Sequence, residues 1–216
     1  MNMKKLLVLS SAFALLGSLP ALADSFVTYS TPVSAYTSGT TNYGGGDGSE
    51  GDITSLGVFS FSNSLEEDSV PSSWDTWNSP PAVESSTPNV LWTQGNSTLT
   101  LTLSGSANTV GFELEPDTES AENVTASFYD GGSLIDTLSL DPNGAAGALL
   151  FALTDTTPGA DITSIVIDDT TGDDFAIAQL RAGDLSTSPT PEPSSLALLG
   201  TGLLGACGML RRRLHV

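Results

Sequence analysis

The 216-residue sequence predicts an all-β fold, an antiparallel β-sandwich of jelly-roll or lectin-like type, followed by a C-terminal transmembrane helix. Three observations predict it. Between Asp24 and Asp184 helical periodicity is almost absent, and short runs with an apolar or β-branched residue at every second position recur instead. Those runs are bounded by Gly, Pro, Asn or Asp at roughly 8–14-residue spacing, the rhythm of a sandwich rather than of a helix-covered sheet. Near the end, Ser194 to Leu210 forms a charge-free apolar segment closed by three arginines.

Residues 1–23 read as a secretory signal peptide. Lys4 and Lys5 supply the positive start, Leu6 to Leu19 the apolar core, and Ala21-Leu22-Ala23 the small-x-small cleavage pattern before Asp24. The exported domain, residues 24–185, then carries the strands. Phe26 to Ser30 and Ile53 to Phe61 open the series. Thr98 to Leu103 alternates strictly, with Leu99, Leu101 and Leu103 on one face and threonines on the other. Thr109 to Glu115 sends Val110, Phe112 and Leu114 inward and Gly111, Glu113 and Glu115 outward. Val124 to Tyr129 turns at Asp130-Gly131-Gly132, where glycines accept positive φ, into Leu134 to Leu140. Ala148 to Leu153, Ile162 to Ile167 and Phe175 to Arg181 bring the count to about nine strands. A one-residue slip would turn each apolar ladder into water, so register is firmly set.

Two stretches fall outside the ladder. Residues 38–52 are dominated by Gly, Thr, Asn and Asp and read as a long loop or disordered arm. Residues 62–88 carry Glu66, Glu67, Asp68, Trp74, Trp77 and four prolines, and read as an extended surface excursion between strands. After the domain come a Ser/Thr/Pro linker with a Pro-Glu-Pro tripeptide (186–193), the apolar span (194–210) and a basic tail (211–216). Seventeen residues at 1.5 Å rise reach about 25 Å, at the short edge of what crosses a bilayer. Arg211, Arg212 and Arg213 stay cytoplasmic under the positive-inside rule, which places residues 24–193 on the far side of the membrane.

Charge is segregated. Five of the six basic residues are terminal, and Asp24 to Pro189 holds Arg181 alone against 24 acidic residues, a net charge of −23. Such a body repels phosphate backbones, which excludes nucleic-acid partners. It also lacks His and Cys, which excludes zinc sites, thiol nucleophiles and His-based triads. The single cysteine, Cys207, lies in the apolar span and reads as a small buried residue, so no internal disulfide staples the domain.

The order Pro191-Glu192-Pro193, short span Ser194 to Leu210, basic cluster Arg211 to Arg213 resembles the PEP-CTERM sorting signal of bacterial exported proteins. The resemblance covers about the last 28 residues. It implies recognition by an exosortase, a membrane cysteine protease that cuts near the tripeptide, and export to a C-terminally membrane-anchored, cell-surface or extracellular position in bacteria that often make extracellular polysaccharide. Signal peptidase is the implied processing partner at the other end. The segment Asn108 to Ala182, through Asn108-Thr-Val-Gly-Phe-Glu-Leu-Glu-Pro116, Phe128-Tyr-Asp-Gly-Gly132 and Asp173-Asp-Phe-Ala-Ile-Ala-Gln179, is also similar to ectodomains of PEP-CTERM proteins, which implies a lectin-like sandwich and no activity.

Acidic side chains are the only abundant reactive groups, and several uses compete. The plainest is a solvated surface that keeps an exported protein soluble. Calcium binding is a second use. Asp168, Asp169, Asp173 and Asp174 crowd a Gly-containing turn between two strands, and hard cations take six to eight oxygens, although the EF-hand spacing and its closing Glu are missing. Carbohydrate binding would use Trp74, Trp77 and Trp92 as stacking surfaces, with half-buried anchors pinning the loop as the alternative reading. Glycoside hydrolysis would need a carboxylate pair such as Glu113 and Glu115, about 7 Å apart along one strand face, and no motif marks them. The sequence therefore predicts a non-enzymatic exported surface or matrix protein, structural or adhesive and associated with exopolysaccharide. A carbohydrate- or calcium-binding module is the first alternative and a carboxylate-based glycosidase the second.

Overall fold

A computed structural model describes residues 26–157, 159 and 161–184. The cleavage residues Ala21, Ala23 and Asp24, the linker with Pro191, Glu192 and Pro193, the apolar span 194–210 and Arg211 to Arg213 lie outside the described residues. Among the described residues no helix is long and apolar enough to cross a membrane.

Among the described residues twelve strands form: β1 (Phe26–Tyr29), β2 (Thr41–Gly44), β3 (Asp52–Leu56), β4 (Phe59–Ser69), β5 (Asn89–Trp92), β6 (Thr98–Ala107), β7 (Thr109–Pro116), β8 (Val124–Asp130), β9 (Ser133–Leu140), β10 (Leu149–Asp155), β11 (Ile162–Asp169) and β12 (Phe175–Gly183). One short helix, α1 (Ser34–Thr37), follows β1. Every pairing between named strands is antiparallel, in the order β1-β10-β7-β12-β5-β4-β6-β11-β8-β9, with β2 on β12 and β3 on β4.

The path is continuous because β4 serves two layers. Its first residues pair with β6 (Phe59↔Leu103, Phe61↔Leu101) and its last with β5 (Glu66↔Trp92, Ser69↔Asn89). The β5-β12-β7-β10 half and the β6-β11-β8-β9 half then face each other across one apolar cluster. Phe112, Leu114, Phe151, Ile177 and Leu180 come from the first half, and Leu99, Leu101, Phe128, Ile165 and Ile167 from the second. The rings of Phe112 and Phe151 stack at 5.5 Å within it.

Alternation explains most of this. On β6, Leu99, Leu101 and Leu103 enter the core while the intervening threonines reach water or the rim. At the β8–β9 turn Gly131 and Gly132 take φ of 51° and 96°, values that favour glycine. On β12 the simple period fails. Phe175 and Ile177 point inward, and so do Leu180 and Ala182, because Gln179 adopts φ 52° and the register to β7 shifts between Ala178 and Arg181. That bulge changes the phase by one residue and turns Arg181 to the outer face.

Three expectations are corrected. The stretch 53–61 is not one strand: Gly57, at φ 59°, breaks it into the β3–β4 hairpin. Residues 38–52 carry β2 and the start of β3, and their glycines close on a carboxylate. Asp47 N–H donates to Glu67 Oε1 at 2.9 Å and the Ser49 hydroxyl to Oε2 at 3.3 Å, while a Cβ on Gly46 would meet Oε1 at 2.1 Å. Residues 62–88 are not a surface excursion. The first eight continue β4, and the rest cross the outer face of the sheet as a strap, with Val70, Trp74, Trp77 and Val83 buried against Val90, Ala148, Ala176 and Ala178.

Candidate functional site

The strap makes β7 a strand buried on both faces, with all eight of its residues buried. Its inward side is Val110, Phe112 and Leu114. Its outward side is Gly111, Glu113 and Glu115, which the sequence placed in water. Gly111 lies under α1, where a Cβ would fall 2.4 Å from the Tyr36 hydroxyl. Glu113 and Glu115 are both 0% exposed.

Each carboxylate is met by an indole. Trp77 Nε1–H donates to Glu113 Oε2 at 3.2 Å, and Trp74 Nε1–H to Glu115 Oε2 at 3.4 Å. The Glu84 amide adds a 2.6 Å bond to Glu113 Oε1. The Thr76 hydroxyl (3.0 Å) and the Ala146 amide (3.0 Å) add theirs to Glu115 Oε1. Burial pushes the Glu113 carboxyl up to about 7, the Glu84 amide and the Trp77 indole pulling the other way. Glu115 is raised for the same reason, with Thr76 and Trp74 opposing.

Next to this pair sits the only base among the described residues. Arg181 holds Glu84 through two parallel bonds, Nε to Oε1 at 2.5 Å and Nη2 to Oε2 at 2.6 Å. Its Nη1 reaches the Thr37 and Thr40 carbonyls at 3.2 and 3.1 Å. The one cation thus ties the strap, β12 and the N-terminal arm together.

Where the strap meets the distal loops an open groove of about 440 Å³ forms, lined by Ser73, Trp74, Asp75, Thr76, Pro116, Asp117, Glu119 and residues 144–146. Burial, and then the charges of Asp174, Asp75 and Asp173, raise the Asp117 carboxyl. Among the described residues no base lines the groove, which offers hydrogen-bond acceptors and negative potential.

The tryptophans do not form an exposed platform. Trp74 and Trp77 are 7% and 4% exposed, because their rings fill the space between strap and sheet. Trp92 is partly buried, and its indole donates to Asp174 Oδ2 at 2.6 Å. The four aspartates of the 168–174 turn do not converge either. Asp168 lies within β11, opposite Thr98 and Thr125, Asp173 is exposed, and Asp174 accepts from Trp92 and from the Gly95 amide. Among the described residues no three His, Cys, Asp or Glu side chains gather in a way that could hold a metal ion. Thr76, Glu84 and Asp117 went unmarked in the sequence, since nothing local sets them apart. Their roles come from contacts 29 or more residues away.

The decisive comparison concerns the tail. The description "PEP-CTERM protein-sorting motif" matches residues 189–213. The chain carries that sorting signal. A PEP-CTERM signal implies export, membrane-associated sorting and processing by exosortase, and it spans the Pro-Glu-Pro, the apolar segment and the three arginines read from the sequence. No curated protein matches the chain. Among solved structures, a mutant family 29 carbohydrate-binding module is 12% identical, with a TM-score of 0.31, over 79% of this chain and 99% of that one. The enzymatically active domain of tailspike protein 4 from bacteriophage CBA120 is 15% identical, with a TM-score of 0.35, over 65% of this chain and 21% of its own. Those scores are too low to transfer a fold or a ligand.

Proposed function

We propose that this PEP-CTERM protein is an exported, non-enzymatic component of the cell surface or extracellular matrix, structural or adhesive, within an exopolysaccharide layer. The sorting motif carries the reading. A signal peptide at residues 1–23 and a membrane helix at 194–210 complete it, the helix either holding the domain at the membrane or being left behind when exosortase cuts. The ectodomain is a jelly roll. In support, β5-β12-β7-β10 in one layer and β6-β11-β8-β9 in the other is the order two interlocked Greek keys produce.

A passive role is favoured by the sealing of the carboxylate pair. A glycosidase needs its two carboxyls open to a sugar, and Glu113 and Glu115 lie beneath two indoles. Mass spectrometry of the native protein tests the proposal by reading both termini. An N-terminus at Asp24 is expected, with the C-terminus either intact in membranes or cut near Pro191 outside the cell. Intact full-length chain in the cytosol contradicts it.

A second reading rests on the groove. Asp75, Asp117 and Glu119 are acceptors with no basic neighbour among the described residues, suited to the hydroxyls of a neutral glycan, in a groove that Trp74 also lines. Glycan-array binding that falls at least tenfold in Asp117→Asn supports it, and unchanged binding removes the groove from consideration.

A further inference from the structure

At the pole of the domain where β11 ends, two acidic side chains on different segments are buried together. Asp169, the last residue of β11, is 1% exposed. Its Oδ1 accepts the Thr171 amide at 2.9 Å and the Thr171 hydroxyl at 2.6 Å, whereas Oδ2 is buried and accepts nothing. Glu122, on the β7–β8 loop, is 7% exposed. Its Oε1 accepts the hydroxyls of Ser120 at 2.6 Å and Thr118 at 2.8 Å. Asp169 pairs with Val124 across the β11–β8 ladder and the Thr170 amide donates to the Asn123 carbonyl at 3.0 Å, so Thr171 lies across from Glu122 and both acidic residues stand on the same face of the two segments. One hydroxyl therefore stands between two carboxylates, and its single proton serves only one of them.

We propose that Asp169 and Glu122 form a calcium site, completed by neutral oxygens of the 118–122 and 170–172 loops. The donors are all hard oxygens with no nitrogen or sulfur among them, which selects alkaline-earth over transition metals. Loop oxygens from two segments suit the variable geometry of calcium better than the strict octahedron of magnesium. Two carboxylates rather than four aspartates in a row make the site, so it differs from the acidic run visible in the sequence. With two carboxylates its affinity falls in the range of extracellular modules, a Kd of roughly 0.1–1 mM. Outside the cell, calcium pins the β7–β8 loop to the end of β11. The inference does not depend on the glycan groove, whose test residue, Asp117, is not a ligand here.

Isothermal titration calorimetry and thermal unfolding of the full-length protein in detergent, with calcium chloride against EDTA, test it. One saturable site is expected, with Tm raised by about 4 °C at 5 mM calcium. Asp169→Asn weakens binding at least tenfold, Glu122→Gln does likewise should the first variant fail to fold, and the exposed-residue variant Asp173→Asn leaves binding unchanged. Absence of heat and of any Tm shift in the wild type overturns the site. So does binding that survives Asp169→Asn, or binding that Asp173→Asn abolishes.

Discussion

The two layers of this domain bury one shared core but treat their outer faces in opposite ways. On the β6-β11-β8-β9 side the outer positions stay at the rim or in water, and β9 has no fully buried residue. On the β5-β12-β7-β10 side the strap, α1 and the N-terminal arm cover the sheet, and β7 has no exposed residue. A covered outer face changes the chemistry of whatever it holds. Ser127 and Thr137, facing outward on β8 and β9, exchange an ordinary 2.9 Å hydroxyl contact in water. Glu113 and Glu115, facing outward on β7, became buried acids that depend on indole and hydroxyl donors.

The contrast breaks most sharply at Trp77. Trp77→Ala removes a ring that is 4% exposed and strips Glu113 of a donor, at a cost of about 4 kcal/mol in urea-unfolding free energy. Arg181→Met follows, at about 3 kcal/mol by the same measurement. It leaves Glu84 unpaired beside Glu113 and pushes the Glu113 carboxyl higher still.

Glu113 also sharpens the contrast through pH. Its folded-state value near 7 lies above the unfolded carboxylate value of about 4.3, so the folded state binds the extra proton. Its contribution is fully present below pH 4.3 and is lost as pH rises through 7, a decline of about 4 kcal/mol across that window. Glu113→Gln flattens this part of the stability–pH curve, read from chemical denaturation at several pH values. On the open face, Thr137→Ala changes stability by less than about 0.5 kcal/mol in the same assay.

The open face was legible in the sequence and the covered one was not. Alternation works where one side meets water, which is why β6, β8, β9 and β11 follow their periodic runs. It also named the inward residues of β7 correctly. It misassigned Glu113 and Glu115 because a polar residue at every second position signals water only when nothing lies on top. β5, only four residues long with Val90 and Leu91 buried on opposite faces, offers no alternation to detect. One signal was present. Ala176 and Ala178 on β12 and Leu150 and Ala152 on β10 are apolar at outward positions, which calls for a cover, and the two nearby tryptophans could supply it. The phase change at Gln179 left no mark in composition, and Arg181 faces the strap only because of it.

Acrylamide quenching of indole fluorescence in a Trp92→Phe variant, which leaves Trp74 and Trp77, tests most directly whether the strap is part of the core. Folded protein should quench far less than the same protein unfolded in urea, with protection lost only at global unfolding. Equal quenching in the two states, or loss of protection well before the sheet unfolds, would contradict the covered face.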